Sequence, residues 1–325
     1  MIHVGIVGGA GYTAGELIRL LIHHNEVALN FIYSTSSAGK ALSEVHHDLV
    51  GSTELKFTDS VDPTVDLVFL CLGHGNSKKF LAKHQFAEHT KIIDLSNDFR
   101  LKGQNSDQGY DFVYGLPELN KEAIKKAKAI ANPGCFATAI QLALLPLAAN
   151  GLLNEPVHIN AVTGATGAGV SLSKTTHFAW RDNNFSYYKP FVHQHLAEIQ
   201  QSIEQAGSTA TESLYFLPNR GNFSRGIFAT AYTKFKGSLD ALITNYKAFY
   251  KEAPFTYLST NELYLKQVVN TNKCLIHLHV HEDTLLISSC IDNLLKGASG
   301  QAVQNMNLAF GFNEDQGLQL KANFF

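Results

Sequence analysis

Hydrophobic and polar positions along the first 130 residues alternate between two periods. Residues 2–7 form a short β-rich run, and residues 14–24 carry apolar side chains at helical spacing, among them Leu17, Ile18, Leu20 and Leu21. Residues 27–33 read as a second strand. Residues 67–71 and 91–94 read as further buried strands, with a helical segment at 77–84 between them. A short polar helix over 121–128 leads to a strand at 129–131. Strands that alternate with helices predict an α/β fold built on a doubly wound parallel sheet.

Beyond Asn132-Pro133-Gly134 the pattern changes. A long apolar helix over 136–149 precedes β-rich runs at 157–162, 213–217, 226–234, 275–281 and 285–289, interrupted by helical patterns at 197–205 and 239–250. This predicts a second, α+β domain with a mixed or antiparallel sheet. Residues 299–310 are helical again and polar enough for a surface helix. No internal repeat or low-complexity tract interrupts the chain.

Composition narrows the function. A chain of 325 residues has room for two domains. Its 45% apolar and 17% charged residues are those of an ordinary globular protein. A net charge of −2 with no basic block leaves no nucleic-acid footprint. The longest apolar stretch, 137–153, contains Gln141, Pro146 and Asn150, so no membrane span is expected. The opening MIHVGIVGG lacks the basic region and cleavage site of a signal peptide. Cys71, Cys135, Cys274 and Cys290 are widely spaced without a CxxC pair, which argues against a disulfide scaffold or zinc site and for a reducing cytoplasm. The fifteen histidines are scattered, and no metal site is expected.

Two segments carry candidate chemistry. Directly after the first strand, Gly8-Gly9-Ala10-Gly11-Tyr12-Thr13-Ala14-Gly15 runs into a helix. Strand, glycine-rich turn and helix N-terminus together make a pyrophosphate site, because backbone N–H groups approach the phosphates and the helix dipole favours their charge. The spacing is G-x-x-G-x-x-A, and a tight βα turn of an unrelated protein is the competing reading. An NAD enzyme places a carboxylate at the end of the second strand; here stand Ser34-Thr35-Ser36-Ser37 with Lys40 behind, which suits the 2′-phosphate of NADP. The second segment is Asn132-Pro133-Gly134-Cys135, at the start of the long apolar helix. A cysteine in the first helical turn has its thiolate stabilised by N–H groups and dipole, and the same N–H groups suit an oxyanion. For Cys71, Cys274 and Cys290, inside apolar β runs, a small buried side chain is the better reading.

ANPGCFAT (131–138) resembles the active-site segment of the N-acetyl-γ-glutamyl-phosphate reductases. So do GGAGYTAGEL (8–17), IDLSNDFRL (93–101), YGLPELN (114–120), TGATGAG (163–169), HQHLAEI (193–199), SRGI (224–227) and IDNLLKGASGQAVQNMN (291–307), in family order across nearly the whole chain. The aspartate-semialdehyde dehydrogenases are more distant relatives with the same logic. The resemblance implies an NADP-binding Rossmann domain over 1–133 and 298–325, the C-terminal helix returning to it, and a catalytic and oligomerisation domain over 134–297. It implies NADPH, a homo-oligomer (dimer or tetramer) and a small acyl-phosphate substrate. Carried over by position, Cys135 is the nucleophile, His195 the acid/base and His193 a weaker candidate beside the substrate. Arg100 matches a phosphate-binding arginine and Arg225 one that holds the substrate carboxylate, with a structural salt bridge the alternative for each. Gly8, Gly11, Tyr12, Thr13, Ala14, Ser34, Ser36, Ser96, Asn293 and Gly297 are the implied cofactor contacts.

The chain also departs from the family. Ala14 stands for the usual third glycine, where a small side chain is allowed. PNRGNFSRG (218–226) differs from the usual PHLVPMxRG, and 183–186 lies in a segment the family uses near the substrate. These departures leave the acyl group open between N-acetyl and N-succinyl. Aspartate-semialdehyde dehydrogenase is the other enzymatic alternative, and a Rossmann protein that binds nucleotide without turnover is the alternative from another class.

Overall fold

A computed structural model describes residues 1–208 and 214–324. The chain divides into two compact units, Met1–Pro133 with Ala298–Gln319, and Gly134–Gly297 with Leu320–Phe325. The tail from residue 320, which the resemblance joins to the first domain, thus groups with the second.

The first unit contains β1 (Ile2–Val7), α1 (Tyr12–Leu21), β2 (Val27–Tyr33), β3 (Phe57–Thr58), β4 (Leu67–Leu70), α2 (Asn76–Leu81), β5 (Lys91–Asp94), β6 (Ser106–Asp107), β7 (Tyr110–Tyr114), α3 (Pro117–Lys126) and β8 (Ala129–Ala131). The strands form one sheet in the order β3-β2-β1-β4-β5-β8-β7-β6, parallel except for the β6–β7 hairpin. All four residues of β4 are buried, as a strand covered on both faces requires. The hairpin escapes the sequence pattern because its two-residue turn, Gln108-Gly109 with φ 49° and 79°, lacks the usual Asn or Asp. From β1 the chain runs outward to β2 and β3, then returns to β4 on the other side of β1. That reversal is a switch point, where such sheets open a ligand crevice at the strand ends.

The second unit contains α4 (Cys135–Ala149), β9 (Val157–Thr163), α5 (Phe178–Arg181), β10 (Ser186–Tyr187), α6 (His195–Gln205), β11 (Leu214–Arg220), β12 (Ile227–Lys234), α7 (Leu239–Phe249), β13 (Thr256–Leu258), β14 (Cys274–His281) and β15 (Thr284–Ile291). Ser213, where the sequence pattern starts its strand, lies outside the described residues. The sheet is mixed, in the order β10-β11-β9-β12-β15-β14-β13, with β9–β11 and β13–β14 parallel and the other pairs antiparallel. Alternate residues of β9 and β12 are buried, and α4 packs against β12, β14 and β15.

Burial from Phe136 to Ala148 explains why α4 carries apolar residues all round. Pro146 has no N–H for the Leu142 carbonyl and crowds the turn before it. Two hydroxyls of the α7 segment repair the gap: Tyr250 donates to the Leu142 carbonyl (2.5 Å) and Tyr246 to that of Ala143 (2.6 Å). Gln141 ties α4 to α6, its Nε2 donating to the Glu198 carbonyl and to Ser202 Oγ, both at 2.9 Å.

The last helix, α8 (Gly300–Phe310), returns to the first unit and overturns one expectation. Every residue from Gly300 to Ala309 is buried, so it is no surface helix. Its amides are polar because they are hydrogen-bonded within the unit: Asn305 Nδ2 donates to the Gly115 carbonyl (2.9 Å) and Asn132 Oδ1 (3.0 Å), and Asn307 Nδ2 to the Gln316 carbonyl (2.9 Å).

Candidate active site

In the first unit the glycine-rich turn sits at the switch point. Gly8 has φ +82°, and a Cβ there would come within 2.6 Å of the Cys71 carbonyl oxygen, so only glycine lets the chain turn this close to the end of β4. The N–H groups of Gly8 and Gly9 both donate to the Tyr33 carbonyl, fixing the turn to the end of β2. Gly11 caps α1 in extended conformation, with no side-chain cap and no acid in the first turn. A Cβ on Gly11 would meet nothing nearer than 3.8 Å. The helix end is therefore shaped for an anion. Tyr12 is exposed, Thr13 bonds the Cys71 thiol, and Ala14 is fully buried.

At the end of β2 the Ser34 and Ser36 hydroxyls lie 3.4 Å apart. The first acid after β2 is Glu44, and its carboxylate accepts from the Ala41 N–H at 2.7 Å. The chain places no acid between β2 and Glu44. The residues present fit NADP.

Ser96 shapes the loop after β5. Its hydroxyl and that of Ser77 donate to the two oxygens of buried Asp94, each at 2.6 Å. Burial raises the Asp94 carboxyl to about 6, against the pull of these hydrogen bonds and the Arg100 charge. Arg100 is buried and aimed by backbone, Nε donating to the Asn132 carbonyl (2.8 Å) and Nη2 to that of Leu95 (2.9 Å).

In the second unit Cys135 is the first residue of α4, with Gly134 as its cap and no acid in the first turn. Glu198 Oε2 accepts from the Gly134 N–H at 2.9 Å, while its Oε1 lies 3.9 Å from His195 Nε2. A Cβ on Gly134 would fall 2.3 Å from His195 Nε2, so the ring is packed directly against the residue preceding the cysteine. Gly297 serves the other side: a Cβ there would approach Cys135 Cβ to 2.8 Å. The structure thus brings Cys135, His195 and Gly297 together and adds Glu198, three residues after His195 on α6. That i,i+3 spacing was the available signal for Glu198.

His193 stands behind them. Its Nδ1 accepts from the His195 N–H at 3.2 Å, and its ring is 4.6 Å from that of His195. Burial, and secondarily the Lys189 charge, lower it to about 4, so it is neutral in use. Tyr188 is a residue the sequence reading missed. Burial and then the Cys135 charge push its phenol up to about 12, while the Arg220 guanidinium, 4.9 Å from the ring centre, acts the other way.

Arg225 makes a fork with buried Asp292, Nε to Oδ2 and Nη2 to Oδ1, both at 3.1 Å. Asp292 also accepts the N–H groups of Asn270, Leu294 and Leu295. Asn293 braces the same corner, accepting from the Gly226 N–H (2.7 Å) and donating to Thr166 Oγ1 (3.0 Å). Burial holds the Cys71 thiol up at about 12 and raises that of Cys290, while Cys274 is buried against Ser289. A thiol at a helix N-terminus with a histidine beside it, itself backed by a carboxylate, is suited to covalent catalysis.

A dinucleotide cradle joined to a cysteine of this kind is the arrangement of the semialdehyde dehydrogenases, and the chain belongs to that family. Residues 3–127 match the family model described as semialdehyde dehydrogenase, NAD binding domain, and residues 135–293 match the semialdehyde dehydrogenase, dimerisation domain. Within the family, the chain is 65% identical to the N-acetyl-gamma-glutamyl-phosphate reductase of Christiangramia forsetii, 60% to that of Flavobacterium johnsoniae and 55% to that of Phocaeicola vulgatus, each match covering 100% of both chains. Among solved structures, aspartate semialdehyde dehydrogenase II of Vibrio cholerae complexed with ASA shares the fold, with a TM-score of 0.71 at 16% identity over 96% of this chain and 98% of that one. Aspartate semialdehyde dehydrogenase with NADP from Candida albicans gives 0.68 at 13% identity over 95% and 98%. Among the described residues no helix is long and apolar enough to cross a membrane, and no three His, Cys, Asp or Glu side chains gather as a metal site.

Proposed function

We propose that the chain reduces N-acetyl-γ-glutamyl phosphate to N-acetylglutamate semialdehyde, releasing phosphate, in arginine biosynthesis. The observation that carries this reading is Cys135 at the start of α4 with His195 seated on Gly134 and backed by Glu198. Cys135 Sγ attacks the γ-carbonyl carbon; the carbon–oxygen bond to phosphate breaks, the electron pair leaving with phosphate, and a thioester remains. When bound, NADPH supplies the hydride that reduces the thioester carbon. His195 gives a proton to the resulting oxyanion and takes it back as the carbon–sulfur bond breaks, which frees the aldehyde and restores the thiolate. Arg100 is the cation for the departing phosphate, and Arg225, oriented by Asp292, takes the substrate carboxylate.

The first unit is the cofactor domain, with Gly8, Gly11, Tyr12, Thr13 and Ala14 at the pyrophosphate and Ser34 and Ser36 at the 2′-phosphate; Ser96, Asn293 and Gly297 shape the loops around the cofactor. The second unit is the catalytic and oligomerisation domain of a homo-oligomer. Four cysteines without a disulfide support a cytoplasmic location. The test runs the reaction backwards, from N-acetylglutamate semialdehyde, phosphate and NADP⁺, and follows NADPH absorbance. A phosphate-dependent signal that Cys135→Ser lowers by about 10³-fold or more is expected. A signal independent of phosphate, or retained by that variant, rejects the reading.

A further inference from the structure

One histidine of the first unit is built into the glycine-rich turn. His46 lies between β2 and β3, in a loop braced by its own bonds: Glu44 accepts from the Ala41 N–H (2.7 Å), and the His46 N–H donates to the Leu42 carbonyl (2.8 Å). This sets the half-buried ring against the start of α1, its centre 6.0 Å from that of Phe57. Nε2 lies 2.8 Å from the Gly9 carbonyl oxygen, and since a carbonyl only accepts, Nε2 carries the hydrogen. Gly15 shows how closely the ring sits. It is inside α1 with no turn to make, yet a Cβ there would fall 2.7 Å from His46 Nδ1. The neighbouring His47 differs: it is exposed, with Nδ1 3.1 Å from the Ser43 carbonyl oxygen.

The bond to Gly9 decides where the next N–H points. The Gly9 N–H is held by the Tyr33 carbonyl at 2.9 Å and the Gly9 carbonyl by His46, so both polar groups of this residue are fixed. In a planar trans peptide the carbonyl and the following N–H point opposite ways, so the Ala10 N–H is turned away from His46. It meets no backbone acceptor among the described residues, and neither do the N–H groups of Tyr12 and Thr13. An unpaired donor held beside an open helix end is suited to an anion. We propose that His46 is a positioning residue for the dinucleotide: through Gly9 it holds the Ala10 N–H towards the pyrophosphate, and position 15 is glycine so that the ring can reach. His46 itself touches no reacting atom. The proposal rests on the NADPH reading of the first unit and deepens it.

The experiment measures the Kd of NADPH by fluorescence titration of the substrate-free protein, and the melting temperature of the same protein without cofactor. A charge-assisted hydrogen bond corresponds to roughly a ten- to hundredfold change, so His46→Phe, which keeps a packed ring without the donor, should raise Kd by about tenfold. His46→Gln loses the ring but keeps a donor near Nε2, and should stay within about threefold of the natural protein. Gly15→Ala should raise Kd as His46→Phe does while the melting temperature holds or rises, because alanine is the better helix former. Combining Gly15→Ala with His46→Phe should cost no more than either change alone, since both act through Gly9. A natural Kd in His46→Phe and in Gly15→Ala overturns the proposal. So does the reverse order, with His46→Phe near natural and His46→Gln weakened, which would assign the ring to packing of the loop. If His46→Phe does not fold, Gly15→Ala decides alone, because it leaves the histidine in the chain. A natural protein that does not bind NADPH rejects the cofactor reading and the positioning role with it.

Discussion

The N-termini of α1 and α4 use one local device in opposite ways. Each follows a strand and a short turn, each has a glycine cap in extended conformation, and neither has a side-chain cap or an acid in its first turn. At α1 the space over the capping glycine is open, with nothing within 3.8 Å of where a Cβ would be. At α4 it is filled by the chain itself, the His195 ring standing 2.3 Å from that point. An open helix end offers its N–H groups and dipole to an outside anion. A closed one applies the same field to a group the chain supplies, the Cys135 thiol, and sets beside it the ring that the proposed mechanism uses to carry a proton. The two glycines look alike in sequence and are needed for different reasons.

Alanine at each cap breaks or sharpens this contrast. Gly134→Ala must push the His195 ring away from Cys135, and a displacement of about 1 Å at a catalytic group lowers turnover by about a hundredfold. Its main effect should be on kcat, with NADPH binding spared. Gly11→Ala has room in the protein, so melting temperature should hold, but the added methyl intrudes where phosphates bind, so the KM for NADPH should rise instead. Steady-state kinetics on both variants check this. Matching kcat and KM profiles would show that the two helix ends do not differ in use.

A smaller effect tests how the closed site keeps His193 uncharged. His193 is held at about 4, below its ordinary value near 6.5. A base whose folded pKa is lowered loses stability as pH falls from the unfolded value toward the folded one, here from about 6.5 to about 4. The full shift corresponds to at most about 3 kcal/mol. Asp94, raised to about 6, acts in the opposite direction over an overlapping range and masks part of the loss in the natural protein. His193→Asn keeps an acceptor for the His195 N–H but cannot titrate. The melting-temperature gap between natural protein and variant should therefore narrow from pH 7 to pH 4.5. A gap that stays constant or widens would mean that His193 is not held neutral by its surroundings.

How much of this the sequence reveals depends on how local each feature is. The Gly8–Gly11 turn, the cysteine at a helix start and the parallel sheet are written in contiguous residues and periodicity. His195 is not: its place against Gly134 is set by α6 packing on α4 through Gln141, some sixty residues of chain away, and only its motif singles it out. Tyr188 and Arg220 meet where a two-residue strand pairs with β11, too short for any periodic signal. The α8 helix misleads for a related reason. Asn305 and Asn307 read as surface residues until the carbonyls of Gly115 and Gln316, distant or non-helical in the chain, are seen to receive them.

The smallest expected effect concerns the other half of the open site, at the end of β2. In the proposed reading helix α1 meets the pyrophosphate, and the choice between the two nicotinamide cofactors falls to Ser34 and Ser36, whose hydroxyls are 3.4 Å apart, and to the lack of an acid between β2 and Glu44. Hydroxyls donate to a 2′-phosphate; a carboxylate repels it and accepts instead from a 2′-hydroxyl. Ser36→Asp should therefore lower the ratio of kcat/KM for NADPH over NADH by about tenfold, equivalent to about 1.4 kcal/mol. The change should come through KM, since the substituted residue is not part of the cysteine–histidine cluster, and added salt should weaken it because a partly exposed charge is screened. Kinetics with both cofactors at two ionic strengths decide the point. A natural enzyme that uses NADH as well as NADPH, or a variant whose preference is unmoved, would separate cofactor choice from the β2 end and leave only the pyrophosphate contacts to the open helix.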